Sequence, residues 1–461
     1  MPTTQAKYER VEAALRSDDP AALSSVLADI RAADLAEIYE MLGDDERSKL
    51  IFALPPEVVA EVVVLLDEIE RGEVVEEMDA RELSEIVAQM EPDDAADVLG
   101  ELTEEQREDI LETIANEHAD KIEELLGYPE DTAGGIMTKD LVALHAGATV
   151  REAVREIRAN FPDEDLHYVY VVDQAEKLVG IVPLRRLVLS DGMVHLGNIC
   201  ERDPVTIPVT ADQEEVVHVF SKYDLAVIPV VDAEGRLLGR ITHDDVMDVA
   251  EEEADEDIYR MAGLDAAEFE RASIVRAAGI RLAWLVPCMA SMSISAAVMS
   301  VAQKWFATPI YNALIVFVPM IGAIGGNCGI QISTVIVRGL ATGELASSKF
   351  RNAFLREGRI ALLMAPVCGL AAWTTARFGV PLLESFFEYD AGCSLDRTAF
   401  AVGLGMTSAI LVAASLGLVL PFFFRSIRVD PAIASGPIVT TLNDLISVTV
   451  FLSLAILIMR S

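Results

Sequence analysis

The chain has 461 residues and a net charge of −39, which makes it long enough for several domains and too acidic for a nucleic-acid partner. Its five cysteines are scattered without paired spacing, which argues against a disulfide framework and against a zinc site. The charge is uneven, because residues 1–278 carry 24 basic and 67 acidic side chains while residues 279–461 carry 12 and 8. We therefore expect an acidic soluble region followed by a membrane domain.

The acidic excess has two explanations. A surface this negative is repelled by anionic membranes unless cations neutralise it, which indicates divalent cations as partners. A solvated acidic surface of the kind found in halophilic proteins is the simpler alternative. The first thirty residues contain no apolar signal-peptide core, so we expect the N-terminus to stay in the cytoplasm.

Residues 1–130 are predicted to form an all-α, superhelical N domain. An apolar residue recurs every twelve positions, at Leu42, Leu54, Leu66, Met78, Met90 and Leu102. Most of these residues are followed by a Pro, Asp or Thr that suits a helix N-cap or first turn, and then by acids. Each unit is thus one short helix and a turn, and such units bury their apolar faces only by stacking on their neighbours.

Residues 131–257 contain an internal duplication, with copies at about 134–198 and 199–257. The matching strings are IMTKDLVAL at 136–144 with ICERDPVTI at 199–207, and YVYVVDQAEKLVGIV at 168–182 with VIPVVDAEGRLLGRI at 227–241. The offset falls from 63 to 59, so the first copy carries four extra residues near FPDED at 161–165. This α/β pattern resembles a tandem pair of CBS domains. The resemblance implies a regulatory pair that binds an adenine nucleotide in its cleft.

An acidic run, THDDVMDVAEEEADEDIYRMAGL, follows the duplication at residues 242–264. Like charges three or four positions apart destabilise a helix, so cations that bridge them to other acids are one way to hold such a run together. A strongly solvated linker helix is the alternative. We predict that residues 258–278 form a connecting helix toward the bilayer.

Residues 279–461 are predicted to form an α-helical membrane domain with five transmembrane helices. The apolar segments are Leu282–Gln303, Trp305–Val337, Ile360–Leu383, Thr398–Phe424 and Pro431–Met459. The basic loops after the second and fourth segments are expected in the cytoplasm, and the acidic loop after the third outside. The expected location is the cell (inner) membrane, with the N-terminus in the cytoplasm and the C-terminus on the outer side.

One ionisable residue, Asp444, lies near the middle of the last apolar segment. A carboxylate at that depth costs about 2.5–3.5 kcal/mol on insertion scales, so such residues usually face a bundle interior or a water-filled path. Gly436 and Pro437 interrupt the helix just before it, and irregular backbone at membrane depth is tolerated where it lines a cavity. An ion route is therefore expected at Asp444, and a purely structural aspartate is the alternative.

Two strings in the membrane segments resemble those of a known family. PMIGAIGGNCGIQISTVIVRGLATGEL at 319–345 and DPAIASGPIVTTLND at 430–444 are similar to the signature and the last helix of the MgtE family of magnesium transporters. The order of parts is also similar: helical N domain, CBS pair, acidic connecting helix and five spans. The glycines of the first string additionally provide small-xxx-small spacing, which close helix packing explains without any functional role.

The family resemblance implies a homodimer in the lipid bilayer with a pore between its subunits, an ion site built by Asp444, and a cytosolic Mg²⁺ sensor that closes the pore. Two carboxylates facing a hydrated ion suit Mg²⁺, which sheds water reluctantly. Thr440, Asn443 and Asn327 are further candidates for the pore site. For the sensor we expect Asp94 of the N domain to share ions with acids of the run at 242–264: Asp244, Asp245, Asp248, Glu253, Glu256 and Asp257.

Three alternatives compete with a gated Mg²⁺ transporter. A transporter of the same fold for Co²⁺ or Mn²⁺ uses the same ligand types, so the sequence does not rank these ions. A membrane metalloprotease needs intramembrane ligands such as HExxH, but all six histidines precede residue 279, so we expect no enzyme. A ligand sensor without transport leaves Asp444 unexplained.

Overall fold

The structure, a computed structural model, describes residues 4–17, 19–161, 166–264, 274–305, 308–341, 350–379, 394–434 and 436–460. The chain forms two compact units, Met1–Ala250 and Glu251–Ser461. Some predicted features lie outside the described residues: the extra residues at 162–165, the helical pattern over 265–273, and most of the acidic loop after the third span.

The described part of the first unit begins with ten short helices. They are α1 (Thr4–Arg16), α2 (Pro20–Leu27), α3 (Ala32–Met41), α4 (Asp44–Ile51), α5 (Pro56–Val64), α6 (Glu68–Glu77), α7 (Ala80–Val87), α8 (Pro92–Gly100), α9 (Glu104–Leu111) and α10 (Asn116–Leu125). Asp67, Asp79 and Thr103 accept backbone N–H bonds from the first turns of α6, α7 and α9, which fixes where these helices begin.

The twelve-residue repeat is confirmed as one helix and one turn per unit. The odd-numbered helices contact the helix two places along, α3 with α5, α5 with α7 and α7 with α9, so they stack on one another. Three of the repeated residues are buried in the shared core and the three that alternate with them are half-buried at its edge. Burial between neighbours, and not the propensity of such short helices, therefore stabilises the domain.

The duplicated region folds as two similar α/β halves. The first has β1 (Ala143–His145), β2 (Tyr168–Val172), β3 (Leu178–Pro183) and β4 (Glu201–Arg202) in that sheet order, with α11 (Val150–Asn160), α12 (Leu184–Leu189) and a 3-10 turn (Leu196–Asn198). The second has β5 (Ile207–Pro208), β6 (Ile228–Val231) and β7 (Leu237–Ile241), with α13 (Gln213–Tyr223). In each half the first two strands are parallel and the next pair antiparallel, so the duplication is confirmed.

The acidic run lies on a single long helix, α14 (His243–Ala262). The predicted boundary between the CBS pair and the connecting helix lies between residues 257 and 258. The helix continues through that point without a break. Because helix geometry alone does not mark that division, the domain boundary stays a prediction.

The second unit is helical in its described residues. It contains α15 (Ile274–Gln303), α16 (Thr308–Ile315), α17 (Val318–Ala341), α18 (Phe350–Thr374), α19 (Leu395–Ser426) and α20 (Pro437–Arg460), with a π turn (Thr375–Gly379) and a 3-10 turn (Pro431–Ala434). Five helical stretches of the described chain are long and apolar enough to cross a membrane: Ala277–Gln303, Tyr311–Leu340, Arg351–Gly379, Leu395–Ser426 and Pro437–Met459. The predicted membrane domain is thus confirmed in helix number.

Helix α19 lies at the centre of this bundle and contacts α17, α18 and α20. Small residues allow the close approach. A β-carbon placed on Gly403 would lie 3.0 Å from the carbonyl oxygen of Gly369 on α18, so these two helices touch backbone to backbone. Helices α17 and α20 contact each other as well as α19, so they lie side by side against it.

The final helix begins later than the apolar segment that predicts it. That segment starts at Pro431, but residues 431–434 form the 3-10 turn and α20 begins at Pro437. Proline suits the first helical position, where its missing N–H would have no partner anyway. Asp444, near the middle of the apolar segment, therefore lies only about two turns from the N-terminus of the helix itself.

Candidate cation sites

Asp444 is half-buried and lies beside the glycine-rich face of α17. A β-carbon placed on Gly322 would be 3.2 Å from Asp444 Oδ1, which is tighter than most real contacts of a β-carbon. The carboxylate thus lies directly against the backbone of the second span, with no side chain between them. Glycine at this position permits that close approach, because a β-carbon would crowd the carboxylate.

Two further glycines of α17 contact neighbouring side chains of α20. A β-carbon on Gly325 would lie 2.9 Å from Asn443 Nδ2, and one on Gly326 would lie 3.4 Å from Thr440 Cγ2. The structure therefore brings three of the four predicted pore residues to the contact between α17 and α20. The glycines thus permit the close packing that their spacing predicts, and a functional role for the polar side chains beside them stays a prediction.

The predicted pore residues differ in their surroundings. Asn443 is fully buried, and its Oδ1 accepts a 2.8 Å hydrogen bond from Ser447, while its Nδ2 has no partner among the described residues. The Thr440 hydroxyl lies 3.1 Å from the carbonyl oxygen of Gly436, to which it donates within the first turn of α20. Asn327 is exposed on α17.

A second group of acids lies in the first unit, between the start of α8 and the start of α14. Asp93 and Asp94 occupy the first turn of α8, and Asp244 and Asp245 the first turn of α14. Asp93 is buried, and its Oδ1 has no hydrogen-bond partner in the described part of the chain. We call these four residues the α8–α14 acid cluster. Sequence reasoning found three of them and missed Asp93, although it directly precedes Asp94 in the helix-start string PDD.

Burial and mutual repulsion make the carboxylates of the α8–α14 acid cluster hard to ionise. Burial, followed by the charges of Glu91 and Asp245, raises the pKa of Asp94 to about 7. Burial and the Asp245 charge raise the pKa of Asp93 well above its usual range, and burial raises the pKa of Asp245. Protons or a bound cation would offset this repulsion, and a divalent ion at the cluster stays a prediction.

The later acids of α14 belong to the second unit and surround a basic residue. Arg260 forms ion pairs with Glu256 and with Asp430, which directly precedes the turn into α20. Burial, followed by the charges of Asp430 and Glu253, raises the pKa of Asp257 to about 6. We call these five residues the α14–α20 charge cluster. Arg260 and Asp430 were missed, although an aspartate before a proline at the entrance to the last span is a usable signal.

The end of α14 touches the start of α20 through the backbone. A β-carbon on Gly436 would clash with the carbonyl oxygen of Met261, and one on Gly263 would lie 2.8 Å from Pro437 Cγ. Gly263, with φ of 75°, ends α14 in the left-handed conformation that favours glycine. The last turn of α14 therefore packs directly on the residues that open the helix carrying Asp444.

The predicted sensor residues divide between the two clusters. Asp94, Asp244 and Asp245 come together in the first, Glu253, Glu256 and Asp257 in the second, and the Asp248 charge contributes to the raised pKa of Asp245. Over the described ranges, no three His, Cys, Asp or Glu side chains converge as a finished metal site. The sensing role of these acids therefore stays a prediction.

Comparison with known families accounts for most of the chain. Residues 318–454 match a family model described as MgtE, a divalent cation transporter, residues 30–131 match the MgtE intracellular N domain, and residues 133–190 and 196–252 match the CBS domain. The magnesium transporter MgtE of Thermus thermophilus is 34% identical over 462 residues, covering 98% of both chains. The magnesium transporter MgtE of Enterococcus faecalis is 34% identical and covers 74% of this chain and 72% of its own.

A solved structure is similar to the N-terminal half of the chain. It is the cytosolic domain of the Mg²⁺ channel MgtE in complex with ATP, with a TM-score of 0.50 and 34% identity, covering 52% of this chain and 99% of its own. The predicted combination of a helical N domain, a CBS pair and a helical membrane domain is confirmed by these matches together with the fold.

Proposed function

The chain belongs to the MgtE family of divalent cation transporters, and from this premise we propose that it conducts Mg²⁺ across a membrane along a path past Asp444. The observation that carries the assignment is the contact of the Asp444 carboxylate with the bare backbone at Gly322. A carboxylate in a span is costly unless it meets water, a partner charge or an ion. Gly322 offers the carboxylate neither a charge nor a side-chain donor, and because Asp444 is only half-buried we infer that an ion or water meets it on its accessible side.

We infer that the site holds Mg²⁺ mainly through its water shell. Mg²⁺ usually keeps several waters and is bound by one or two carboxylates, so open space matters as much as the number of protein ligands. Thr440, Asn443 and Asn327 are proposed to contact these waters or to position α20. The complete burial of Asn443 against Gly325 favours positioning for that residue.

We propose that the working unit is a homodimer with the pore between its subunits. Asp444 is only half-buried within one chain, so its carboxylate remains accessible to water or to a second copy. Two such carboxylates would place two negative charges near one dication, which balances its charge without stripping its water.

The proposed location is the cell membrane, with the N-terminus in the cytoplasm and the C-terminus outside. The support is the set of five candidate spans together with the basic residues Arg338, Arg351, Arg425 and Arg428 near the ends assigned to the cytoplasm. In this arrangement the acidic first unit is cytosolic. We propose a role in transport and none in catalysis.

Gating is proposed to act through the two acid clusters. At low cytosolic Mg²⁺ the carboxylates of the α8–α14 acid cluster repel one another, and bound Mg²⁺ holds them together, so the ion shifts a two-state equilibrium. The backbone contact between Met261 and Gly436 gives the last turn of α14 a direct route to α20. Deleting residues 1–130 is then expected to weaken the inhibition of uptake by internal Mg²⁺, and unchanged inhibition would place the sensor elsewhere.

An adenine nucleotide is proposed to bind between the two CBS halves. The support is that about half of the chain is similar to a solved structure, the cytosolic domain of the Mg²⁺ channel MgtE in complex with ATP. The chain has no glycine-rich phosphate loop there, so the phosphates must be held by other groups. Titration of the purified protein with ATP in a calorimeter tests this, and heats equal to those of dilution would refute it.

The transport proposal is tested by uptake into liposomes that contain the purified chain. Mg²⁺, Co²⁺ and Mn²⁺ are supplied in turn at equal concentration, and the rate of entry is followed with an ion-sensitive dye. We expect uptake of Mg²⁺ at rates well above those of protein-free liposomes. Uptake of Co²⁺ or Mn²⁺ without Mg²⁺ would favour the alternative, a CBS-regulated transporter of another divalent cation, and no uptake of any ion would leave a sensor without transport.

A further inference from the structure

The outward face of α18 near its N-terminal end joins arginines to leucines in one groove. The groove has a volume of about 450 Å³ and is lined by Asn352, Leu355, Arg356, Arg359, Ile360 and Leu363. The opposite face of the helix is packed into the bundle, where Ala361 and Ala365 are buried. This packing fixes the rotation of α18, so the groove residues lie on the side of the helix opposite its described bundle contacts.

The two arginines of the groove have no counter-charge among the residues that the structure describes. Within the described ranges neither Arg356 nor Arg359 forms an ion pair, although the chain contains 75 acidic side chains and only 36 basic ones. Other basic side chains are paired with carboxylates, as Arg71 is with Glu101 at 2.7 Å. In so acidic a chain, two adjacent exposed arginines that stay unpaired are available to an anion from outside the protein.

The apolar part of the groove continues along the helix into the predicted span. Leu363 is 74% exposed, and Val367 and Leu370, one and two turns farther on, are 67% and 62% exposed. A ligand with an anionic head and an apolar chain contacts both parts at once. A free phosphate ion would contact only the arginines and leave the leucine stripe uncovered.

We propose that Arg356 and Arg359 bind the phosphate of an anionic phospholipid whose acyl chain lies along Leu355 and Leu363. Arginine suits this role because its planar guanidinium presents several donors to phosphate oxygens. The inference rests on the proposed membrane location of α18 and is independent of which ion the chain transports.

The test uses the full-length protein in a neutral detergent and measures lipid binding by native mass spectrometry. The probes are phosphatidylglycerol, phosphatidylcholine with the same acyl chains, and glycerol 3-phosphate. We expect phosphatidylglycerol to bind more tightly than the other two. The double variant Arg356→Gln/Arg359→Gln should lose affinity for it by about 25-fold, because each basic residue near an anionic surface contributes about a fivefold gain.

Matched variants separate this site from general attraction to charge. Arg425→Gln/Arg428→Gln removes the same charge from exposed positions at the end of α19 and should leave binding unchanged. Arg356→Lys/Arg359→Lys keeps the charge but loses the planar donor fork, so it should bind more weakly than the parent chain and more tightly than the glutamine pair, which also shows that the site tolerates substitution without loss of folding. Equal losses in the two glutamine pairs, no preference for phosphatidylglycerol, or equal competition by glycerol 3-phosphate would overturn the proposal.

Discussion

The acids of the membrane unit and those of the first unit have different neighbours. Asp444 is the only ionisable residue of the last span, and its carboxylate lies against glycine backbone. Asp93, Asp94 and Asp245 lie among other carboxylates, and burial together with like charge raises the pKa values of all three. The first site thus has a single, half-buried carboxylate. The second has several carboxylates whose mutual repulsion makes them hard to ionise.

This difference suits the two sites to different roles. The site at Asp444 suits conduction of an ion, and the α8–α14 acid cluster suits sensing of its concentration. A single carboxylate attracts a hydrated dication without enclosing it, so the ion can leave again. A group of mutually repelling carboxylates assembles stably only when cations or protons neutralise it, so its assembly reports how much cation is present. Four changes to the chain test this contrast, beginning with the largest expected effect.

Replacing Asp444 with Ala should abolish high-affinity Mg²⁺ uptake into liposomes. The substitution removes the only charge in the span, and the loss should leave the bundle folded because the carboxylate is costly there. Asp444→Asn should keep partial uptake, and Asp444→Glu should be impaired because one extra methylene moves the charge by about 1.5 Å.

Size-exclusion profiles of the Asp444 variants serve as the folding control. Uptake at the normal rate in Asp444→Ala would refute the pore assignment. Lost uptake together with an aggregated profile would instead support a purely structural aspartate.

Replacing Arg260 with Gln should shift the inhibition of uptake to several-fold higher internal Mg²⁺. Among the five residues of the α14–α20 charge cluster, Arg260 alone is basic. Its loss leaves the carboxylates of Glu256 and Asp430 to repel each other. More Mg²⁺ is then needed to hold α14 in place. The exposed Arg31 on the N domain provides the control Arg31→Gln, which should inhibit normally. An unshifted inhibition curve for Arg260→Gln would remove this cluster from the gate.

Replacing Gly322 with Ala should slow Mg²⁺ uptake by about fivefold. The new β-carbon would lie 3.2 Å from Asp444 Oδ1, and overpacking of this kind costs about 1 kcal/mol or more. Gly279→Ala on α15 is the matched control, because a β-carbon there meets no atom within 4 Å and alanine favours the helix. If both variants transport alike, the space beside Asp444 has no part in conduction.

The first unit, expressed as residues 1–250, should melt about 5–10 °C higher in Mg²⁺ at 100 times its dissociation constant than in EDTA. The pKa of Asp94 is about 7 in the folded state and 3.8 in a model peptide, so its contribution to stability is full below about pH 4 and is lost as the pH rises through 7. In EDTA the fragment should therefore melt higher at pH 5.5 than at pH 8, and Mg²⁺ should narrow the gap.

Asp94→Asn is the control for the melting experiment. It should reduce both the pH dependence and the Mg²⁺ effect, because the amide neither titrates nor attracts a dication. Equal melting curves in EDTA and in Mg²⁺ at matched ionic strength would contradict the sensing role of the α8–α14 acid cluster.

Much of the architecture could be predicted because its signals are local. The twelve-residue repeat reflects one helix, one cap and one turn, and the duplicated strings 168–182 and 227–241 reflect strands that each half forms by itself. The five apolar segments reflect the thickness of a bilayer. Each of these patterns is set by requirements that act within a few dozen residues.

The sequence by itself determined the class of the protein, its order of parts and the presence of one costly acid at Asp444. Tertiary structure alone decided which residues are neighbours. Arg260 and Asp430 are 170 positions apart and form an ion pair, and Asp444 contacts Gly322 on another helix. Asp93 is buried whereas Asp94, the next residue along α8, is only half-buried. Such contacts depend on how helices rotate and cross when they pack, and no local periodicity encodes that rotation.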